Sequence, residues 1–241
     1  MIACPAFRLP RLVLLLATGA SGLAVAQAEH NLASGETQLD VILESRPQLA
    51  AVLRGRDELR EWLVAELGRR TPAPLWDPTE PVSGRAAEHE YPSRGGAAPA
   101  GTAVIRVSSR VSGWDQLAAL VFELHNVRRS GRFAAIYRAA VRGEIDKAEY
   151  VRRSLEEEFA ALVATRDFLQ RHVGGLPQAA RAGSPLFSQV IETEDSLDRH
   201  LAGQEREGRR LLLHFERLYE QEVVPEKERL ESSRRRKPGS G

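Results

Sequence analysis

A single run, Phe122-Glu123-Leu124-His125-Asn126, carries the residues of this 241-residue chain best placed to do chemistry. Glu123 stands inside an apolar stripe formed by Leu117, Leu120, Val121, Leu124 and Val127. Their three- and four-residue steps put the stripe on one face of a helix. An ionised carboxylate on such a face needs a partner or a raised pKa. A second carboxylate, Glu158, falls three residues after Leu155 and four before Leu162, on the inward face of a later helix, while Glu156 and Glu157 turn toward water. Two inward carboxylates on separate helices are the acids of a glycosidase pair, but aromatic residues make up only 6% of the chain, thin for a sugar cleft. The other use is a buried polar cluster of Glu123, Asn126 and Glu158, in which the Asn126 amide bonds a carboxylate and Arg128 neutralises one acid. If the two acids face each other without a cation, one is expected to be protonated near neutral pH.

Other chemistries find less support. Ser108, Ser109 and Ser112 do not form a GxSxG elbow. His89 and Glu90 fall in a proline-rich stretch, where a solvated loop histidine is expected. His172 lies roughly 20 Å along the helix axis beyond Glu158, and His200 and His214 are separated by a similar rise, so neither arrangement lets two ligands share one metal. The residues therefore predict no metal site and no cofactor.

The elements that must position these residues are mostly helical. Over Thr37–Arg70 the apolar residues Leu39, Ile42, Leu49, Leu53, Leu59, Leu63 and Leu67 recur with helical period, punctuated at Pro47 and Gly55, and Trp62 is in phase with them as a core side chain. Thr71–Gly101 holds six prolines and a glycine pair and reads as a long loop or extended connection. Thr102–Val111, rich in β-branched residues, predicts a strand. Ser112 caps the central helix, which is expected to pause near Arg128–Gly131 before a further segment, Phe133–Val141. Asp146 caps the helix that carries Glu158. After a linker at 174–185, a last apolar stripe runs through Phe187, Val190, Leu211, Phe215 and Leu218, and a charged end follows.

Arg8 and Arg11, an apolar run from Leu12 and the small residues Ala24-Val25-Ala26 describe a secretory signal peptide over residues 1–27. The one cysteine, Cys4, lies within it, so an exported chain has no disulfide to form. Removing the leader takes two from the 34 basic residues and leaves them one short of the 33 acidic ones. Such a balance argues against a nucleic-acid partner. The expected organisation is the leader, one mainly helical domain over 28–224 and a charged flexible tail over 225–241. No integral membrane segment is expected once the leader is cleaved.

The order of strand, central helix and glutamate-bearing helix, from about Ala103 to Leu169, resembles the zincin-like metallopeptidases of the gluzincin type. In that family two histidines of an HExxH helix hold zinc, the glutamate between them polarises the attacking water, and a glutamate on a following helix is the third ligand. The resemblance implies an α+β, mainly α-helical fold with a small sheet packed on a buried central helix, its core at about 103–173, and helical extensions on both sides. It also implies that Glu123 is the vestige of a general base and that Glu158, or Glu157 in the neighbouring register, stands at the third-ligand position. Phe122 and Asn126 replace both histidines, which removes the ordinary zinc site.

The resulting expectation is a periplasmic or secreted protein with a degenerate metallopeptidase core, serving a binding or structural role toward a protein or peptide partner. The competing readings are an active hydrolase with an unusual ligand set around Glu123, His125 and Glu158, and a helical interaction module presenting residues 186–224.

Overall fold

In the computed structural model the described residues are 35–68, 74–81, 86–90, 103–174, 182–206 and 210–235. The expected signal peptide and residues 236–241 lie outside them. The described chain is mainly helical with a three-stranded mixed sheet. The chain divides into two compact units, residues 1–128 with 161–195 and residues 129–160 with 196–241.

The first unit opens with helices α1 (Gly35–Ser45), α2 (Pro47–Leu53) and α3 (Asp57–Leu67). Pro47 occupies the first turn of α2, where its missing N–H costs nothing, and Gly55 at φ 69° supplies the left-handed turn into α3. Leu39, Ile42, Leu49, Leu53, Leu59, Leu63 and Leu67 are buried on the shared faces of these helices.

The sheet consists of β1 (Pro74–Trp76), β2 (Ala87–Glu90) and β3 (Ala103–Val107) in the order β1-β3-β2, with β1 parallel and β2 antiparallel to β3. The segment expected to be loop over 71–101 thus contributes two of three strands. The strand expected over 102–111 stops at Val107, because Ser108–Arg110 turn away, with the Arg110 N–H bonded to Ser108 Oγ at 3.1 Å. Ala103, Ile105 and Val107 are buried while Val104 and Arg106 are half-buried, the period-two pattern of a strand with one core face. Register sets Ala87 opposite Val107 and His89 opposite Ile105, on that core face. Glu88 pairs with Arg106 on the other.

Helix α4 (Gly113–Val141) follows directly. Ser112 Oγ accepts the Asp115 N–H at 3.1 Å, the expected cap. A Cβ at Gly113 would overlap the Gln48 carbonyl, so α4 begins in direct backbone contact with α2. Leu117, Leu120, Val121, Leu124 and Val127 join the core of the first unit together with Phe168 and Leu169 of α5 (Lys147–Val173) and Phe187 and Val190 of α6 (Pro185–Ile191). Asp115 ties α6 in place, its Oδ1 accepting the Phe187 N–H at 2.8 Å, and burial pushes this carboxyl above its ordinary pKa.

Helix α4 runs without a break through Arg128–Gly131, contrary to the expected pause. One glycine costs a helix interior only about 1 kcal/mol, too little to end a 29-residue helix whose apolar face is buried on both sides of it. Gly131 is exposed and an added Cβ would meet nothing within 4 Å. Gly131→Ala is therefore expected to stabilise the protein by about 0.5–1 kcal/mol, read as a higher chemical-denaturation midpoint at unchanged slope.

The second unit contains residues 129–160 of α4, the Asp146 cap and α5, then α7 (Leu197–Arg206), α8 (Arg210–Leu218), a π-helical turn (Tyr219–Val223) and α9 (Val224–Arg235). Asp146 Oδ1 accepts the Glu149 N–H at 2.9 Å, again as expected. The tail expected to be flexible from residue 225 instead continues as helix to Arg235. Glu157, expected to face water, is half-buried and accepts a bond from Arg129 at 2.9 Å. Among the described residues no helix is long and apolar enough to cross a membrane.

Candidate functional site

Helix α4 places Phe122, Glu123, Leu124, His125 and Asn126 in the interior, with Glu123 only 2% exposed. The apolar stripe explains this: burying five large aliphatic neighbours carries the glutamate inside with them. Its partner is His89. The imidazole Nδ1–H donates to Glu123 Oε2 at 2.6 Å, and His89 is itself 7% exposed. The expected solvated loop histidine is thus a strand residue in the core. Three of the four residues Ala87, Glu88, His89 and Glu90 are polar, so the sequence carries no alternation that marks the strand, and only the two-residue period of a strand already formed puts Ala87 and His89 on one face.

The strand's other face is held by charge. Arg106 Nε donates to Asp77 Oδ2 at 2.7 Å, and its guanidinium reaches Glu88 at 3.4 Å. Burial works against ionisation of Asp77, yet the bonds from Thr79 and Arg106 hold its carboxyl below the usual range. Arg46, 3% exposed, spans the junction of α1 and α2. It donates to the Val107 carbonyl at 2.8 Å and the Pro78 carbonyl at 3.0 Å, and its guanidinium lies 5.2 Å from the Trp76 ring centre. Glu80 accepts from Ser108 Oγ and the Ser109 N–H, both at 2.8 Å. These bonds fix the ends of β1 and β3 and the approach to α4.

Of the expected three-residue cluster, Glu123 and Asn126 lie in the first unit, where Glu123 is paired with His89. Asn126 is fully buried, and among the described residues neither its Oδ1 nor its Nδ2 has a hydrogen-bond partner. Glu158 is buried in the second unit. Arg128, expected to neutralise an acid of the cluster, is instead bonded in fork geometry to Glu66 and lies over the Trp62 ring. His125 is drawn to the same indole, with 5.6 Å between ring centres. His172 lies 3.3 Å from Glu58 in the first unit, while His200 and His214 in the second unit stack against Phe159 and Phe215.

A zinc ion on the metallopeptidase plan would need nitrogen ligands at positions 122 and 126. The phenyl ring of Phe122 has no donor atom, and a carboxamide is a poor zinc ligand. Among the described residues no group of three histidines, cysteines, aspartates or glutamates is placed to hold a metal. The residues present do not fit the ion. What remains is an imidazole–carboxylate pair closed off from water, an arrangement suited to fastening a strand to a helix.

Compared with protein-family models, with curated proteins and with solved structures, the chain matches none.

Proposed function

We propose that the region from about residue 103 to 173 is a zincin-like metallopeptidase core that no longer cuts peptides and serves a binding or structural role toward a protein or peptide partner, in a protein exported by its N-terminal leader. The observation that carries this reading is the state of Glu123. In a working metallopeptidase the corresponding carboxylate borders a water held by zinc. Here it is sealed in the interior and bonded to His89, between a phenylalanine and an asparagine where ligands would stand. Further support comes from the order of elements, with a mixed sheet bearing an antiparallel edge strand, then the Glu123 helix, then a helix with an inward glutamate. The exported location rests on the leader-like residues 1–27 alone.

The test is hydrolysis of a quenched-fluorescent peptide library by the purified leaderless chain, with and without added zinc, beside Glu123→Gln. The expected result is turnover at the buffer rate for both proteins. Zinc-dependent cleavage that Glu123→Gln abolishes, with the fold intact by circular dichroism, would overturn the reading in favour of an active hydrolase.

A further inference from the structure

The second unit holds a glutamate that the packing pattern alone would put in the interior. On α8 the buried residues Leu211, Phe215 and Leu218 follow steps of four and three, so an uninterrupted α-helix would next bury position 222. That residue is Glu222. The chain instead forms the π-helical turn Tyr219–Val223, in which the Val224 N–H bonds the Tyr219 carbonyl five residues back. The extra residue in the turn brings Val223 to full burial and leaves Glu222 half-buried at the edge. Single π turns inside α-helices are rare and frequently fall at functional sites.

Among the described residues no cation is paired with Glu222, on which burial is the acting influence. Tyr150 on α5 and Tyr137 on α4 are near enough for the Glu222 carboxylate to add to burial in raising the pKa of both phenols. Lys147 on α5 is engaged with Glu220 at 2.8 Å. On α9, Arg229 is bonded to Glu226 in fork geometry at 2.6 and 2.7 Å. Among the described residues Glu222 makes no hydrogen bond or ion pair, in contrast to Glu220 and Glu226 on either side of it. Tyr219, one turn away, packs its ring edge-on against Tyr150 with centres 5.4 Å apart, so the turn is seated on the same phenol that the Glu222 carboxylate acts on.

We propose that the π turn is a proton-operated latch: neutral Glu222 lets Tyr219–Val223 and α9 lie closed beside Tyr137 and Tyr150, and loss of its proton loosens them. Burial pushes the Glu222 carboxyl up to about 7, from an ordinary value of 4.5. Burial first, and this carboxylate second, push the Tyr150 phenol up as well. Because the closed form holds the proton more tightly than the open one, closure is strongest below pH 4.5. It weakens as pH rises from 4.5 to 7 and changes no further above that.

Amide hydrogen exchange of the full chain, followed by mass spectrometry on peptides covering 219–235 and corrected for intrinsic rates, reads the latch directly. Protection in these peptides is expected to fall between about tenfold and a few hundredfold from pH 4.5 to 7, then level off, while peptides from the first unit stay flat. In Glu222→Gln the same peptides are expected to keep one protection across the range. A flat profile in the unaltered chain, or the same slope in Glu222→Gln, would overturn the proposal. If that variant fails to fold, the carboxyl carbon resonance of Glu222 in the unaltered protein decides: titration near 7 supports the latch and titration near 4.5 ends it.

Discussion

Replacing His89 with alanine is expected to lower the free energy of unfolding by about 3 kcal/mol, since it strands a buried carboxylate whose one described partner is the lost imidazole. Glu123→Gln alone is expected to cost less, about 1–2 kcal/mol, because a carboxamide oxygen still accepts from Nδ1–H. In the double variant the losses should fall well short of additive. The coupling from a double-mutant cycle in urea is expected to be about 1.5–3 kcal/mol, the size found for close buried partners. Two independent losses that simply add would mean that the 2.6 Å contact contributes nothing, and the view of the pair as a fastener between β2 and α4 would fall.

Arg46→Ala is expected to be as damaging, at about 3 kcal/mol, and for a different reason. The guanidinium is the donor for two main-chain carbonyls, Val107 at the end of β3 and Pro78 after β1, and it covers one face of Trp76. Alanine leaves both carbonyls short of a donor and opens a void beside the indole. Arg46→Lys keeps the charge but not the planar fork, so it is expected to recover less than half of the loss. Thermal and urea unfolding of the three proteins check this. An Arg46→Lys variant as stable as the unaltered chain would show that charge toward Glu80 matters and the two carbonyl bonds do not.

Much of this arrangement is legible in the sequence because it depends on local chemistry. Ser112 and Asp146 are caps by residue type and position, Pro47 and Gly55 punctuate helices as their backbones require, and the inward set of Glu123 follows from the spacing of five aliphatic residues. The partner of Glu123 is harder to read, because His89 is brought to it by strand pairing across residues far apart in the chain. A four-residue strand with three polar members has too little apolar alternation to distinguish it from loop, and only its pairing with β3 gives it a face. The helix break expected at Gly131 shows the opposite weighting, where a local breaker is overridden by burial on both sides of it. The continuation to Arg235 was hidden by composition. Apolar residues are scarce after Pro225, but pairs such as Glu226 with Arg229 support a solvent-facing helix. Division into two units leaves little local mark, since two of its three boundaries, at 128/129 and 160/161, fall inside uninterrupted helices.

Zinc content decides whether positions 122, 123 and 126 hold a metal. The leaderless chain, produced with zinc in the medium and weighed intact by native mass spectrometry, is expected to carry no bound metal. Zinc added after purification is expected to show no stoichiometric binding by calorimetry. One zinc per chain, removed by chelator and restored together with peptide cleavage, would contradict the account.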